Sequence, residues 1–366
     1  MDEKKLIALS GAVIGLLGVL LVFLGNARNY GICVACFIRD IAGGLGLHRA
    51  EVVQYIRPEV SGFILGAFII ALLGKEFRAR GGSSPLLRFI LGFIVIVGAL
   101  IFLGCPLRMV LRLAAGDLNA LVGLVGFITG IYVGIIFLRR GFSLGRNYSM
   151  GSSNGYVLPA IAIILLLLVS LRPSFIFFSE SGPGSLHAPI LISLLAGLVV
   201  GALVQRSRLC MAGGIRDLFL IKDTHLFYGT FALFLAALVS SLAFGYFQLG
   251  FAEQPIAHTD GLWNFVGMLV VGLGSVLLGG CPLRQIIMGS EGDTDAGITF
   301  LGMLTGAAFM HNFGLAASPA GVPVNGQIAV VIALVVLVVI AVSSCKVNLP
   351  VRSSKSVTPG ASKALK

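Results

Sequence analysis

The pentapeptide Gly104-Cys105-Pro106-Leu107-Arg108 recurs unchanged as Gly280-Cys281-Pro282-Leu283-Arg284, and each copy closes a long apolar run. Proline is favoured in the first turn of a helix, where its missing N–H costs nothing. Pro106 and Pro282 are therefore expected to open short helices, with Cys105 and Cys281 at the N-caps. A helix start offers free N–H groups and the positive end of the dipole, so an anion is favoured beside each thiol. A thiol is soft and hydrogen-bonds weakly, which suits a polarizable atom better than a hard oxygen. Arg108 and Arg284, three residues on, bring positive charge. The plainer reading is a proline kink with cysteine as small apolar filler. Repetition of the whole motif, arginine included, argues against it.

A second pair of cysteine elements accompanies the first. Arg28 to Asp40 contains Cys33, Cys36, Arg39 and Asp40; Gln205 to Asp217 contains Cys210, Gly213, Arg216 and Asp217. Both read as short helices returning towards the centre of the molecule. Adjacent residues on a helix do not face each other, so Arg39 and Asp40, like Arg216 and Asp217, are expected to pair with other parts of the fold or to anchor at an interface. Cys33-Val-Ala-Cys36 has the spacing of redox and zinc motifs. Zinc wants four ligands, and with no second Cys-x-x-Cys and five scattered histidines no metal site or other cofactor is expected. A thiol redox pair stays open. His311 lies inside an apolar run and is either a functional group or a packed histidine, while Cys345 has no counterpart and is taken as incidental.

The repetition extends beyond the cysteines. Gly116-Asp117 matches Gly292-Asp293, each placed to cap the helix that follows, and Gly126 and Gly130 match Gly302 and Gly306. Register held to within one residue over so long a stretch is the mark of an internal duplication.

What must position these groups is a bilayer. The chain of 366 residues is 57% hydrophobic and only 11% charged, with a mean hydropathy of +1.01, too apolar to stay in water. Ten runs free of Asp, Glu, Lys and Arg read as spans: 6–24, 60–74, 89–104, 118–138, 157–171, 188–205, 226–247, 262–280, 296–315 and 326–343. A charge at mid-bilayer costs roughly 2.5–3.5 kcal/mol on insertion scales, which explains the segregation. The first run is a span rather than a signal peptide, having no small-residue cleavage site after it. With both termini inside, most of the Lys and Arg fall in cytoplasmic segments, so the net charge of +11 reports topology rather than nucleic acid.

The fold class expected is an all-α polytopic membrane protein: two inverted repeats of about five spans each, plus short broken or re-entrant helices carrying cysteines. Five spans per half is odd, so the halves insert with opposite orientation, as in many secondary transporters. The division expected is a membrane repeat over 1–171, an external linker over 172–187, a second repeat over 188–343 and a basic, disordered cytoplasmic tail over 344–366. No carboxylate falls inside a run to relay a proton.

The Cys33 element, the duplicated Gly-Cys-Pro-Leu-Arg and the two-half layout resemble the YeeE/YedE sulfur-transport family, and the stretch from Asn29 to His48 is similar to the YedE-type, selenium-associated members. The resemblance implies a non-enzymatic transporter of the cytoplasmic (inner) membrane. It would take up a small sulfur or selenium anion such as thiosulfate past cysteines on a central path. Carried over, that path falls on Cys33, Cys105, Cys210 and Cys281, with Cys36, Arg108, Arg284, Pro106 and Pro282 beside them. A separate small cytoplasmic sulfur-carrier protein would take the place of the carrier domain fused to some relatives. The alternative from the residues themselves is a membrane thiol oxidoreductase using Cys33 and Cys36.

Overall fold

In a lipid interior each backbone N–H and C=O must find its partner within the segment, so long apolar runs become helices. The computed structural model describes residues 3–345; of the expected tail, all beyond Cys345 lies outside the described residues. In chain order the helices are α1 (Glu3–Phe23), α2 (Val34–Gly44), α3 (Pro58–Leu73), α4 (Pro85–Phe102), α5 (Pro106–Ala114), α6 (Leu118–Arg139), α7 (Ser152–Gly155), α8 (Val157–Leu171), α9 (Ile190–Ser207), α10 (Met211–Leu220), α11 (His225–Ala243), α12 (Gly261–Leu278), α13 (Pro282–Ser290), α14 (Thr294–Asn312) and α15 (Val324–Ser343). A two-stranded ladder, Arg80–Gly81 on Tyr148–Ser149, ties two loops.

All ten apolar runs are helical, but among the described residues eight stretches are long and apolar enough to cross a membrane. Two of the expected ten fall short of that measure. α8 has 15 residues. α14 starts on Thr294 and Asp295 and ends on His311 and Asn312, polar ends that dilute its apolar middle. The chain is an all-α polytopic membrane protein. Its outer surface agrees: Leu167, Leu195, Val239 and Val335 are each more than half exposed, a coating that suits lipid and not water.

Helix pairing crosses between the halves. The closest packed pairs are α6 with α12, α4 with α14, α3 with α9, and α1 with α11. Exchanging each helix for its counterpart in the other half turns the first pair into the second and the third into the fourth. Within each pair the contacts climb together: Gly126 lies on Phe265 and Gly130 on Leu269, just as Gly302 lies on Phe89 and Gly306 on Phe93. The counterparts α4 and α12 instead run antiparallel, with Val95 against Gly274 but Ile101 against Gly267. The glycines permit this closeness, because a Cβ on Gly126 or Gly302 would land on the backbone carbonyl of Phe265 or Phe89. The four short helices α2, α5, α10 and α13 sit inside this frame, and every residue of α2 is buried.

Gly302→Ala is expected to destabilise the protein by about 1–3 kcal/mol, since the obstacle is backbone that cannot turn aside. Gly297→Ala, on the same helix and facing open space, should be neutral or slightly stabilising. Thermal unfolding of the two variants in detergent gives the comparison.

Candidate functional site

The N-caps of all four short helices are cysteines. Cys33 caps α2, Cys105 caps α5, Cys210 caps α10 and Cys281 caps α13, and all four are buried. Pro106 and Pro282 are the first helical residues, as their spacing predicts. The cysteines divide by how they cap. The Sγ of Cys33 accepts from the N–H of Cys36 at 3.3 Å, and the Sγ of Cys210 accepts from the N–H of Gly213 at 3.3 Å. Cys105 and Cys281 make no side-chain cap bond.

In the second half two of these helix starts meet: the N–H of Cys281 donates to the Sγ of Cys210 at 3.4 Å. In the first half Cys33 and Cys36 are joined as a disulfide. Arg108 reaches them, its Nη1 donating to the Sγ of Cys36 at 3.3 Å. Cys105 lies in the same continuous buried core as the other three.

Glycine precedes each of Cys105 and Cys281 for a reason the sequence alone does not supply. The arginine of the motif folds back over the helix break, and a Cβ on Gly104 or Gly280 would strike the aliphatic stem of Arg108 or Arg284. The guanidinium of Arg108 then donates to the carbonyls of Leu103, Asn29 (2.6 Å) and Ile256 (2.9 Å). Arg112 donates to the carbonyl of Phe102 at 2.9 Å and to Asp117 at 2.7 Å. Two arginines thus satisfy carbonyls at the end of α4. At the end of α12 the Nε2 of Gln285 takes that role, donating to Leu278 at 3.1 Å and Gly280 at 3.4 Å. Leu103 itself is held in the left-handed region (φ 60), where its counterpart is Gly279, a conformation costing a non-glycine about 1–2 kcal/mol. Asp117 and Asp293 cap α6 and α14 as their position predicts.

The expectation that Arg39 and Asp40 look away from each other is corrected. They pair directly, Nη2 to Oδ1 at 2.8 Å, and so do Arg216 and Asp217, Nε to Oδ1 at 2.8 Å. An arginine stem is long enough to wrap the angle between neighbouring positions, which the spacing rule for shorter reach overlooks. Asp40 also accepts from Arg57 Nε at 2.8 Å and from the Tyr30 hydroxyl at 2.7 Å. Arg39, Asp40 and Arg57 are all buried, and burial pushes the Tyr30 hydroxyl well above its usual range. His48 donates through Nε2 to the Arg39 carbonyl (3.0 Å) and accepts through Nδ1 from Ala50 (3.2 Å), and burial holds its pKa below the usual value. Its ring stacks on His311 at 4.6 Å.

The second half is more open. Arg216 is a quarter exposed, and around Arg284 runs a chain of ion pairs that the repeat pattern did not reveal. Arg284 Nη1 lies 3.2 Å from Glu291 Oε1. The same oxygen takes Arg208 Nη1 at 2.6 Å. Arg208 Nη2 reaches Glu76 at 2.6 Å, and Glu76 also meets Arg206 at 3.4 Å. Glu59 corrects the view that the spans are free of carboxylates: it is buried in the first turn of α3, bonded to Asn26 (3.1 Å) and Ser193 (3.2 Å).

Asp40→Ala would leave Arg39 and Arg57 buried without their shared carboxylate and should cost about 3–5 kcal/mol. Asp217→Ala, in the partly exposed counterpart, should cost less, about 1 kcal/mol. Equal losses in detergent unfolding would contradict the difference in burial.

Residues 206–356 match the family model described as Sulphur transport. The chain is 32% identical over 124 residues to the thiosulfate transporter TsuA of Escherichia coli, an overlap covering 34% of each protein. It is 36% identical over 103 residues to the thiosulfate transporter TsuA of Spirochaeta thermophila, covering 28% of this chain and 31% of that one. Over 120 residues it is 28% identical to the probable transporter YedE of Escherichia coli, covering 32% of this chain and 29% of that one. The aligned stretches span about a third of the length of these relatives.

Proposed function

We propose that this member of the YeeE/YedE sulfur-transport family carries a small soft anion into the cell, thiosulfate or a selenium compound of similar charge. The observation that carries the reading is the set of four buried cysteines, each at the start of a short helix, two from each half. Four helix starts in one core give an anion successive places to rest beside a positive dipole end. The free thiols of Cys105, Cys210 and Cys281 offer its soft atom weak contacts, and weak sites in series let a substrate leave again. Two of the named relatives are thiosulfate transporters, which favours thiosulfate as the first substrate to try.

The path runs from Cys33, Cys36 and Arg108, past Cys105, to Cys210, Cys281 and Arg284. Pro106 and Pro282 set the helix starts that make it. The halves are inverted repeats in the cytoplasmic membrane, with both termini inside. The swapped helix pairs and the antiparallel crossing of α4 and α12 support that orientation. A separate cytoplasmic sulfur carrier receives the anion on the inner side.

The disulfide between Cys33 and Cys36 favours a second reading, a membrane thiol oxidoreductase. The two readings separate in cells expressing the chain and supplied with labelled thiosulfate, with selenite and sulfate as competitors. Transport predicts that Cys105→Ala or Cys281→Ala lowers uptake about tenfold or more while the protein still inserts, and that Cys36→Ser retains uptake. Loss of all function from Cys36→Ser alone, with the other two variants unaffected, would hand the case to the oxidoreductase.

A further inference from the structure

We infer that Arg208 and Arg284 form an oxyanion-binding subsite at the inner end of the path, and that the carboxylate of Glu291 is its tethered resident, displaced by each substrate anion as it leaves. The inference rests on the transport reading above and assigns a role to two residues outside the repeated motif.

The two copies of the motif keep different company. Arg108 is fully buried and makes its hydrogen bonds to carbonyl oxygens and to the sulfur of Cys36. No ion pair is formed by Arg108 among the described residues. Arg284 faces Glu291 at 3.2 Å, and the position matching Glu291 in the first half is Ala115. The arginine of the first copy is therefore engaged by neutral acceptors, and that of the second meets a carboxylate already in place.

Two guanidinium groups converge on one oxygen, Oε1 of Glu291, the arrangement by which arginines hold a carboxylate or another oxyanion. Each group comes from a different cysteine segment. Arg208 lies two residues before Cys210, and Arg284 three residues after Cys281. The subsite thus follows directly on the thiol pair, and Arg208, 45% exposed, opens it to water.

The tether fits a resident that comes and goes. Glu291 closes α13, and its backbone is pinned from both sides: its N–H donates to the Ile287 carbonyl at 3.0 Å, and its carbonyl accepts from the Arg78 N–H at 2.9 Å. Its carboxylate can swing off Arg284 without disturbing that frame. A doubly charged anion gains more from two guanidiniums than a single carboxylate does, and so displaces it. On departure of the anion the carboxylate returns, which keeps the exit from becoming a trap.

Binding of thiosulfate to the purified full chain, followed by calorimetry, tests the inference, with efflux from loaded proteoliposomes alongside. Glu291→Gln removes the competing charge and should tighten thiosulfate binding about tenfold, equivalent to ~1.4 kcal/mol, while slowing efflux. Arg208→Gln leaves Glu291 bound to Arg284 alone and should weaken binding by a similar factor. Opposite signs are the expected result. Unchanged affinity in both variants, or weakening in both, would overturn the inference, since a purely structural ion pair gives the same sign twice. If Glu291→Gln does not survive purification, Glu291→Asp, whose shorter side chain draws the carboxylate back from both guanidiniums, should still tighten binding, and weakening there would overturn the inference. Wild-type protein that neither binds nor carries thiosulfate or selenite would instead count against the transport reading itself.

Discussion

The fold turns on a problem of unsatisfied backbone. Two helices, α4 and α12, stop in the interior, and α5 and α13 start after a break of three residues. Each break leaves carbonyls at one end and N–H groups at the other, at several kcal/mol for each such group that is buried and left unpaired. The carbonyl ends are met by side chains that reach back across the break, Arg108 and Arg112 in one half and Gln285 in the other. The N–H ends are left facing thiols. Neither sulfur makes a cap bond to the helix it precedes, and these open N–H groups are what the proposed anion sites rest on.

The halves solve this with different amounts of charge exposed. In the first, Asp40 gathers Arg39, Arg57 and Tyr30 into a buried cluster, sealed further by Arg57 donating to the carbonyls of Pro183 and Leu186 in the segment that joins the halves. In the second, the matching Arg216 and Asp217 are partly exposed, and the charges around Arg284 continue outward through Arg208 and Glu76. The first cluster is buried and hydrogen-bonded throughout, and the second is built of long side chains that reach water.

Much of this was legible in the sequence because its physics is local. Charge segregation marks a span wherever it occurs, and a proline after a cysteine fixes the first turn of a helix regardless of context. The N-caps at Cys105, Cys281, Asp117 and Asp293 followed from such rules. What escaped was non-local. The pairing of Arg39 with Asp40 depends on Arg57 arriving from the start of α3, and the role of Gly104 depends on how Arg108 folds back. Glu291 stood in plain view as an acid beside a repeated glycine and aspartate, but no pattern search favours a residue whose counterpart is alanine. Comparing the copies for where they differ, rather than where they agree, would have found it.

The cross-half pairing has a mechanical consequence. α1 and α3 lie against α11 and α9, while α4 and α6 lie against α14 and α12, so the halves are laced through each other like the fingers of clasped hands. Glycine-to-carbonyl seams at these contacts resist both sliding and prying apart. The seams lie within two bundles, α1, α3, α9 and α11 in one and α4, α6, α12 and α14 in the other, each drawn from both halves, so neither half can shift as a unit without breaking them.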